Sequence, residues 1–458
     1  MLRLYNTASK NTEEIKPIVP GRIGLYACGP TVYRRAHIGN FRAYVMQDVL
    51  RRTLENIEGF KVKHVMNITD VGHLTDEADA GEDKMEKAAR ESEKDARTIA
   101  REFEKLFIED MEALRILKPA AMPRATEHIE EQIELVKTLE EKWMTYRTSD
   151  GIYFDTSKFP AYGRFGGQSM EEKREGARVE ANPEKKNPAD FALWKFSKPD
   201  EKRQMEWNSP WGLGFPGWHV ECSAMSRKEL GQPFDIHAGG VDHIPVHHEN
   251  EIAQSQAAYG VPLANEWMHV EFLTVDGRKM SKSLGNTLTL DDLRERGMAP
   301  ADLRFFFLGA HYRSMQNFTW EAAQGAKAAR EKIERAARSW KEPAGRCEDA
   351  ERDFTSAMEN DLNTPEALAV VWKMIDSDHP AGAKSASLLF MDRVLGVGFS
   401  DVAAKPLLAP KEIKSLADER LKARRMGDWD NADRFREEIE GRGWKALDTK
   451  DGYTLERQ

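Results

Sequence analysis

Gly24-Leu25-Tyr26-Ala27-Cys28-Gly29-Pro30, followed shortly by His37-Ile38-Gly39-Asn40, is the stretch on which the fold turns. Residues 24–28 form a short apolar run between Gly21 and Gly29-Pro30, the pattern of a buried strand that ends in a turn. Over 37–57, Phe41, Tyr44, Val45, Val49, Leu50 and Leu54 recur at helical spacing. Residues 61–68 read as a second strand, which ends in Asn67-Ile68-Thr69-Asp70. Strand, loop, helix, strand is the opening of a parallel α/β sheet.

An acidic stretch over 76–87 reads as a solvated loop with no assigned role. Over 91–117, Ile99, Phe103, Leu106, Phe107, Met111 and Leu114 share one helical face. Pro119 and Pro123 then break the pattern, and the chain to about residue 210 reads as an insertion. It holds a helix over 127–143, a hairpin around Asp150-Gly151 and a polar stretch rich in Lys, Glu and Pro. The α/β pattern resumes at 217–225 and at a strand over 234–237, which leads through Ala238-Gly239-Gly240 into a helix over 247–259. Beyond residue 322 the spacing is helical, over 322–340, 349–358 and 366–376. Thr364-Pro365-Glu366 supplies a capping hydroxyl, a fixed φ and an acid near the dipole. Helices over 411–426 and 430–440 precede a β-like end over 444–447 and 453–455.

The expected architecture is α/β: a parallel-sheet domain in two halves (1–118 and 211–258) around a connective insertion (119–210). A junction subdomain (259–325), a helical bundle (326–408) and a small mixed α/β terminal unit (409–458) follow. The 458 residues exceed what one core usually holds. With 40% apolar and 32% charged residues the composition is that of a soluble protein, and no apolar run approaches the roughly 20 residues that span a bilayer. The start lacks a secretory signal pattern, and Cys28, Cys222 and Cys347 are too few and scattered for a disulfide framework. A reducing cytoplasm is the expected location. The net charge of −9 disfavours a general nucleic-acid-coating protein but not an enzyme that meets RNA along one face.

His37-Ile38-Gly39-Asn40 sits where a turn passes into a helix, and the exposed N–H groups and positive dipole end there favour phosphate. Gly39 lets the backbone approach closely, and His37 offers a ring donor. Lys279-Met280-Ser281-Lys282-Ser283 pairs two lysines with hydroxyls ahead of Gly285-Asn286, a cationic loop suited to charge that builds at a reacting phosphate. Together the two motifs resemble the paired signatures of the class I aminoacyl-tRNA synthetases, whose Rossmann-like domain makes an aminoacyl-adenylate from ATP and an amino acid. The resemblance implies that His37 and Asn40 bind ATP phosphates and that Lys282, helped by Lys279, stabilises the activation transition state. Gly240-Val241-Asp242 matches the family's Gly-x-Asp segment, which implies Asp242 on the ribose. The first signature departs from the family in ending in Asn40 where His is usual.

Five of the 12 histidines (His219, His237, His243, His247 and His248) crowd the region that also holds Cys222. His247 and Glu251 are four apart, on one helical face, but His243 and His247 share that spacing and periodicity does not choose between the pairs. Cys28 ends the first strand at the sheet edge where ligands bind in such folds. Two thiolates, an imidazole and a carboxylate make a zinc shell. The blocks 26–33, 67–70, 217–225 and 247–251 resemble the cysteinyl-tRNA synthetases, and the similarity runs nearly end to end. That resemblance implies Cys28, Cys222, His247 and Glu251 as Zn2+ ligands, and Thr69 and Trp218 lining the cysteine pocket with Gly29 and Thr31 nearby. It implies ATP with Mg2+, L-cysteine and tRNA-Cys as substrates, and a monomer that contacts no membrane. The bundle and terminal unit would hold the tRNA, the latter at the anticodon. Two rivals are a related ligase that delivers activated cysteine to an amino sugar and lacks the tRNA-binding tail, and a non-catalytic zinc-containing RNA-binding protein.

Overall fold

The computed structural model describes residues 1–72, 84–92, 94–167, 182–198, 203–280, 285–340, 342–403, 409–449 and 452–457. The chain forms two compact units, one of Met1–Ala328, Arg352–Val370 and Arg393–Val397, the other of Ala329–Glu351, Val371–Asp392 and Gly398–Gln458.

In the first unit an antiparallel hairpin, β1 (Arg3–Asn6) and β2 (Asn11–Glu14), leads into β3 (Arg22–Ala27), α1 (Ile38–Asn56) and β4 (Lys61–Met66). This is the expected strand–helix–strand opening. The fall of α1's apolar residues on one stripe buries Ile38, Phe41, Val45, Val49 and Leu54. Next come α2 (Lys84–Ser92) and α3 (Ala96–Ala113). The Asp95 side chain accepts from Thr98 N and so starts α3 afresh, which divides the single expected helical stretch. Residues 84–87, expected within a loop, belong to α2; 76–83 lie outside the described residues. Phe107 of α3 stacks on Phe41 at 5.9 Å and meets Tyr44 edge-on at 5.1 Å, packing α3 on α1.

The insertion contains α4 (Ile129–Glu141) and strands β5 (Thr145–Arg147), β6 (Gly151–Phe154), β7 (Phe191–Phe196) and β8 (Gly214–Pro216), a four-stranded antiparallel sheet in that order. Its core is apolar, with Phe154, Leu193 and Trp194 fully buried. The chain then returns through α5 (Trp218–Leu230), β9 (Phe234–Gly240), α6 (Glu249–Tyr259) and β10 (Ala264–Val270). The principal sheet has the order β10-β9-β3-β4, every pair parallel. A small sheet of β11 (Leu273–Val275), β12 (Arg278–Lys279) and β13 (Gln316–Phe318) encloses α7 (Leu290–Glu295) and α8 (Pro300–Leu308) in sequence. Buried Arg304 of α8 donates to Asp48 of α1 at 2.6 Å and to the carbonyls of Leu114 and Leu395. Asp48 also accepts from Arg52 and from Leu117 N, so its charge is fully hydrogen-bonded.

Helices α9 (Trp320–Ser339), α10 (Glu348–Glu359), α11 (Thr364–Asp376) and α12 (Ala381–Leu395) follow, with a short α13 (Phe399–Ala403). The cap of α11 differs from the expected one. Asn363 accepts from Glu366 N at 3.4 Å and donates to its carboxylate at 2.8 Å, while the Thr364 hydroxyl is buried inside the first turn. In the second unit α14 (Lys411–Arg425) and α15 (Trp429–Gly441) pack with the hairpin of β14 (Trp444–Thr449) and β15 (Gly452–Arg457) around Ile413, Ala417, Ile439 and Trp444. No helix among the described residues is long and apolar enough to cross a membrane.

Candidate active site

The carboxyl ends of the four parallel strands define the site, the usual location for ligands in such sheets. Cys28 and Gly29 follow β3, Asn67 and Thr69 follow β4, and Gly240 ends β9 with Asp242 in the turn beyond it. Every expected site residue that is described, apart from Glu251, lines one cavity of ≈ 340 Å³. Lys282 lies outside the described residues.

The β3 and β4 ends are fastened together. Gly29 N donates to Asn67 Oδ1 at 2.8 Å, Thr69 N donates to the Pro30 carbonyl at 3.0 Å, and Thr31 and Thr69 form a parallel bridge. A Cβ on Gly29 would lie 1.8 Å from the Asn67 carbonyl oxygen, so only glycine admits this approach. Asn67 Nδ2 donates to the Thr69 hydroxyl, which donates to buried Glu221 at 3.2 Å. Trp218, the first residue of α5, sets its ring 4.8 Å from that of His247.

Beneath this pocket lies a buried donor cluster. Single ligand atoms of Cys28, Cys222, His247 and Glu251 all come within 4.8 Å of one another. His247 and Glu251 do not share an α-helix. A turn of π-helix, Ile244–His248, precedes α6 and still brings His247 Nε2 to 2.8 Å from Glu251 Oε1. The other Glu251 oxygen meets His237 Nε2 at 2.8 Å. Burial opposes the Glu251 charge, but His237 and His247 hold the carboxyl well below its usual range. Burial likewise opposes an imidazolium, yet Glu251 and Cys222 push His247 up to about 10. The hydrogen bond from Cys28 lowers the Cys222 thiol, and burial pushes Cys28 up. Two cysteine sulfurs, an imidazole and a carboxylate, buried together with their ligand atoms within 4.8 Å of one another, are a donor set that a divalent cation satisfies, so the residues fit a metal ion.

Sequence spacing missed a second grouping. Cys28, His237, His248 and Glu251 also lie within 4.8 Å of one another, sharing two members with the first set. Cys28 Sγ is 3.3 Å from His248 Nε2, and His248 Nδ1 is 2.7 Å from His269 Nε2. The crowding of histidines in this region was the available signal. His243, open as an alternative partner by spacing, belongs to neither group.

At the rim, His37 caps α1. Asn40 N donates to His37 Nδ1 at 3.3 Å, and Asn40 Oδ1 accepts from His37 N at 3.1 Å. Burial and the nearby Arg34 lower the His37 pKa to about 4. A backbone bond from Ile38 N to the Leu288 carbonyl, at 2.9 Å, joins this turn to the chain beyond the lysine loop. Lys279 Nζ lies 5.2 Å from the Phe272 ring centroid, and Met280 rests against Gly39. Arg35 adds a contact with no local sequence signal, pairing with buried Asp110 at 2.7 Å and with Asp291 in the first turn of α7.

Residues 14–328 match the family model of the tRNA synthetases class I (C) catalytic domain, and 353–377 match the DALR domain. The chain is 48% identical to Cysteine–tRNA ligase 1 of Burkholderia lata, over 99% of this chain and 96% of that one. It is 41% identical to the cysteine–tRNA ligase of Thermus thermophilus over the whole of both. A solved structure of Mycobacterium tuberculosis methionyl-tRNA synthetase with methionyl-adenylate shares the fold, with a TM-score of 0.57 at 14% identity over 83% of this chain and 93% of that one. By its catalytic-domain match and its full-length likeness to these relatives, the chain belongs to the cysteine–tRNA ligases of the class I aminoacyl-tRNA synthetases.

Proposed function

We propose that the chain activates L-cysteine with ATP and Mg2+ and transfers it to the 3′ end of tRNA-Cys. The observation that carries this reading is the buried Cys28–Cys222–His247–Glu251 cluster at the floor of the cavity whose rim bears His37, Asn40 and Lys279. In activation, a carboxylate oxygen of cysteine attacks the α-phosphorus of ATP and pyrophosphate leaves. In transfer, a terminal ribose hydroxyl of the tRNA attacks the acyl carbon and AMP leaves.

His37 and Gly39 receive the phosphates at the start of α1 with Asn40 beside them, His37 being neutral and acting as a donor. Gly240 and Asp242 take the ribose. Lys279 and Lys282 bring positive charge to the pyrophosphate as it develops negative charge. Gly29, Thr31, Thr69 and Trp218 surround the amino acid. Cys28, Cys222, His247 and Glu251 would hold Zn2+, which when bound would favour the thiolate of cysteine over the hydroxyl of serine. Shape alone discriminates poorly between these two amino acids. The six-part division set out from the sequence, with tRNA held by 326–408 and 409–458, completes the reading, as do a monomeric state and a cytoplasmic location.

Charging of bulk tRNA by the purified protein, with cysteine and serine compared, tests it. Cysteine charging with serine rejected is expected. Efficient serine charging would overturn the zinc-filter argument, and cysteine-dependent pyrophosphate exchange without tRNA charging would favour an amino-sugar acceptor.

A further inference from the structure

The first ATP signature ends in Asn40 rather than the usual His, and the geometry gives that asparagine a definite task. We propose that Asn40 is a positioning residue that acts through His37: its side chain anchors the His37 backbone N while its own N–H holds the His37 ring with Nδ1 accepting, so that Nε2 carries the proton and donates to the phosphates of ATP. The inference rests on the ATP-site reading above and assigns Asn40 its part within it.

His37 has extended backbone angles, φ −98° and ψ 167°, and its ring folds over the first turn of α1. The Asn40 backbone N–H points at Nδ1 across 3.3 Å. A backbone N–H can only donate, so Nδ1 must present its lone pair, and a neutral imidazole then keeps its single proton on Nε2. The side chain of Asn40 completes the arrangement by accepting from His37 N at 3.1 Å. Its carbonyl oxygen is thereby committed to a donor of the helix start, the role that Glu or Gln has at this position in other capping boxes. The ring also lies against Gly39, where a Cβ would stand 3.1 Å from His37 Nδ1 and Cε1. The ring is thus held by the Asn40 N–H and by the face of Gly39.

The protonation state agrees with this arrangement. An imidazolium carries protons on both nitrogens and would lose the bond to Asn40 N. Burial and Arg34 keep the ring neutral at physiological pH, so the cap persists there. A fixed Nε2 donor needs no tautomeric exchange before it engages phosphate, the kind of preorganisation that favours a developing charge.

The test is a double-mutant cycle in cysteine-dependent pyrophosphate exchange with the full-length, metal-loaded protein. Asn40→Ala is expected to lower kcat/KM for ATP by about tenfold in the parent, the scale of one lost hydrogen bond, and by less than about twofold on top of His37→Ala. Asn40→Gln, which restores the capping acceptor, is expected to recover most of the loss. A second readout needs no activity. In protein labelled with 15N at histidine, the His37 signal, identified by its absence in His37→Ala, is expected to show the Nε2–H tautomer. Additive losses in the cycle would place Asn40 on the phosphate independently, and an Nδ1–H tautomer would remove the proposed geometry. Absence of exchange in the parent protein would count against the function itself and leave the tautomer result to decide the geometry.

Discussion

Adding one methyl group at Gly29 should disable cysteine activation while leaving the fold intact. The ideal Cβ at this position falls 1.8 Å from the Asn67 carbonyl oxygen, 2.9 Å from its carbonyl carbon and 3.0 Å from Met66 Cγ. The first two atoms are backbone and cannot rotate away. To reach ordinary carbon–oxygen contact, the ends of β3 and β4 must part by roughly 1.5 Å, because interiors are close-packed and tolerate no overlap. That movement breaks the 2.8 Å bond from Gly29 N to Asn67 and spreads the bridge between Thr31 and Thr69. It also displaces Cys28 relative to the donors on α5 and α6. A misplacement of about 1 Å at a reacting centre costs on the order of 100-fold in rate, or about 2.7 kcal/mol of barrier. Gly29→Ala is therefore expected to lower kcat/KM for cysteine in pyrophosphate exchange by about 100-fold, with KM for ATP changed much less. Thermal unfolding of the variant should still be cooperative, showing that the sheet has formed. Activity within threefold of the parent would refute the claim that this strand contact sets the amino-acid pocket.

Cys222→Ser should lose bound metal, measured by atomic emission, and raise KM for cysteine with little effect on KM for ATP; an unchanged metal content would remove Cys222 from the ligand set. Asp48→Asn leaves the buried Arg304 guanidinium opposite a neutral amide and should lower unfolding stability by about 3 kcal/mol, read from urea midpoints. His64 is 1% exposed, and burial lowers its pKa to about 3, below the usual histidine value. The unfolded chain therefore binds a proton that the folded chain refuses, so stability falls as pH drops below about 6.5, by about 2 kcal/mol between pH 6.5 and 5. His64→Leu should flatten that part of the stability curve, and an unaltered slope would assign the acid sensitivity to other groups.

The elements legible in sequence were those whose signal is local. The apolar stripe of α1 follows from the 3.6-residue period and appears in place, whereas the turn expected at Gly29-Pro30 comes at Val32-Tyr33, because the chain runs on through the parallel bridge of Thr31 with Thr69. The end of α11 shows how adjacent signals compete: Thr364 had the right side chain, but Asn363 takes the cap because helical geometry begins one residue earlier. The π-turn before α6 left no periodic trace, yet His247 and Glu251 meet because four residues still span about one turn. Contacts between residues far apart in sequence carried no signal at all. Asp48 with Arg304, Arg35 with Asp291, and the second donor set through His237 and His248 depend on tertiary placement alone.

The strand order β10-β9-β3-β4 has an evolutionary consequence. The residues proposed to face ATP hang from the end of β9, the start of α1 and the chain from β12 onward, whereas those proposed to face the amino acid hang from β3, β4 and α5. Each group is carried by short segments beyond a shared framework, so substitutions on one side need not disturb the other. A lineage built on this scaffold can exchange the amino acid it recognises by rewriting a few strand ends while its energy-coupling chemistry passes on unaltered.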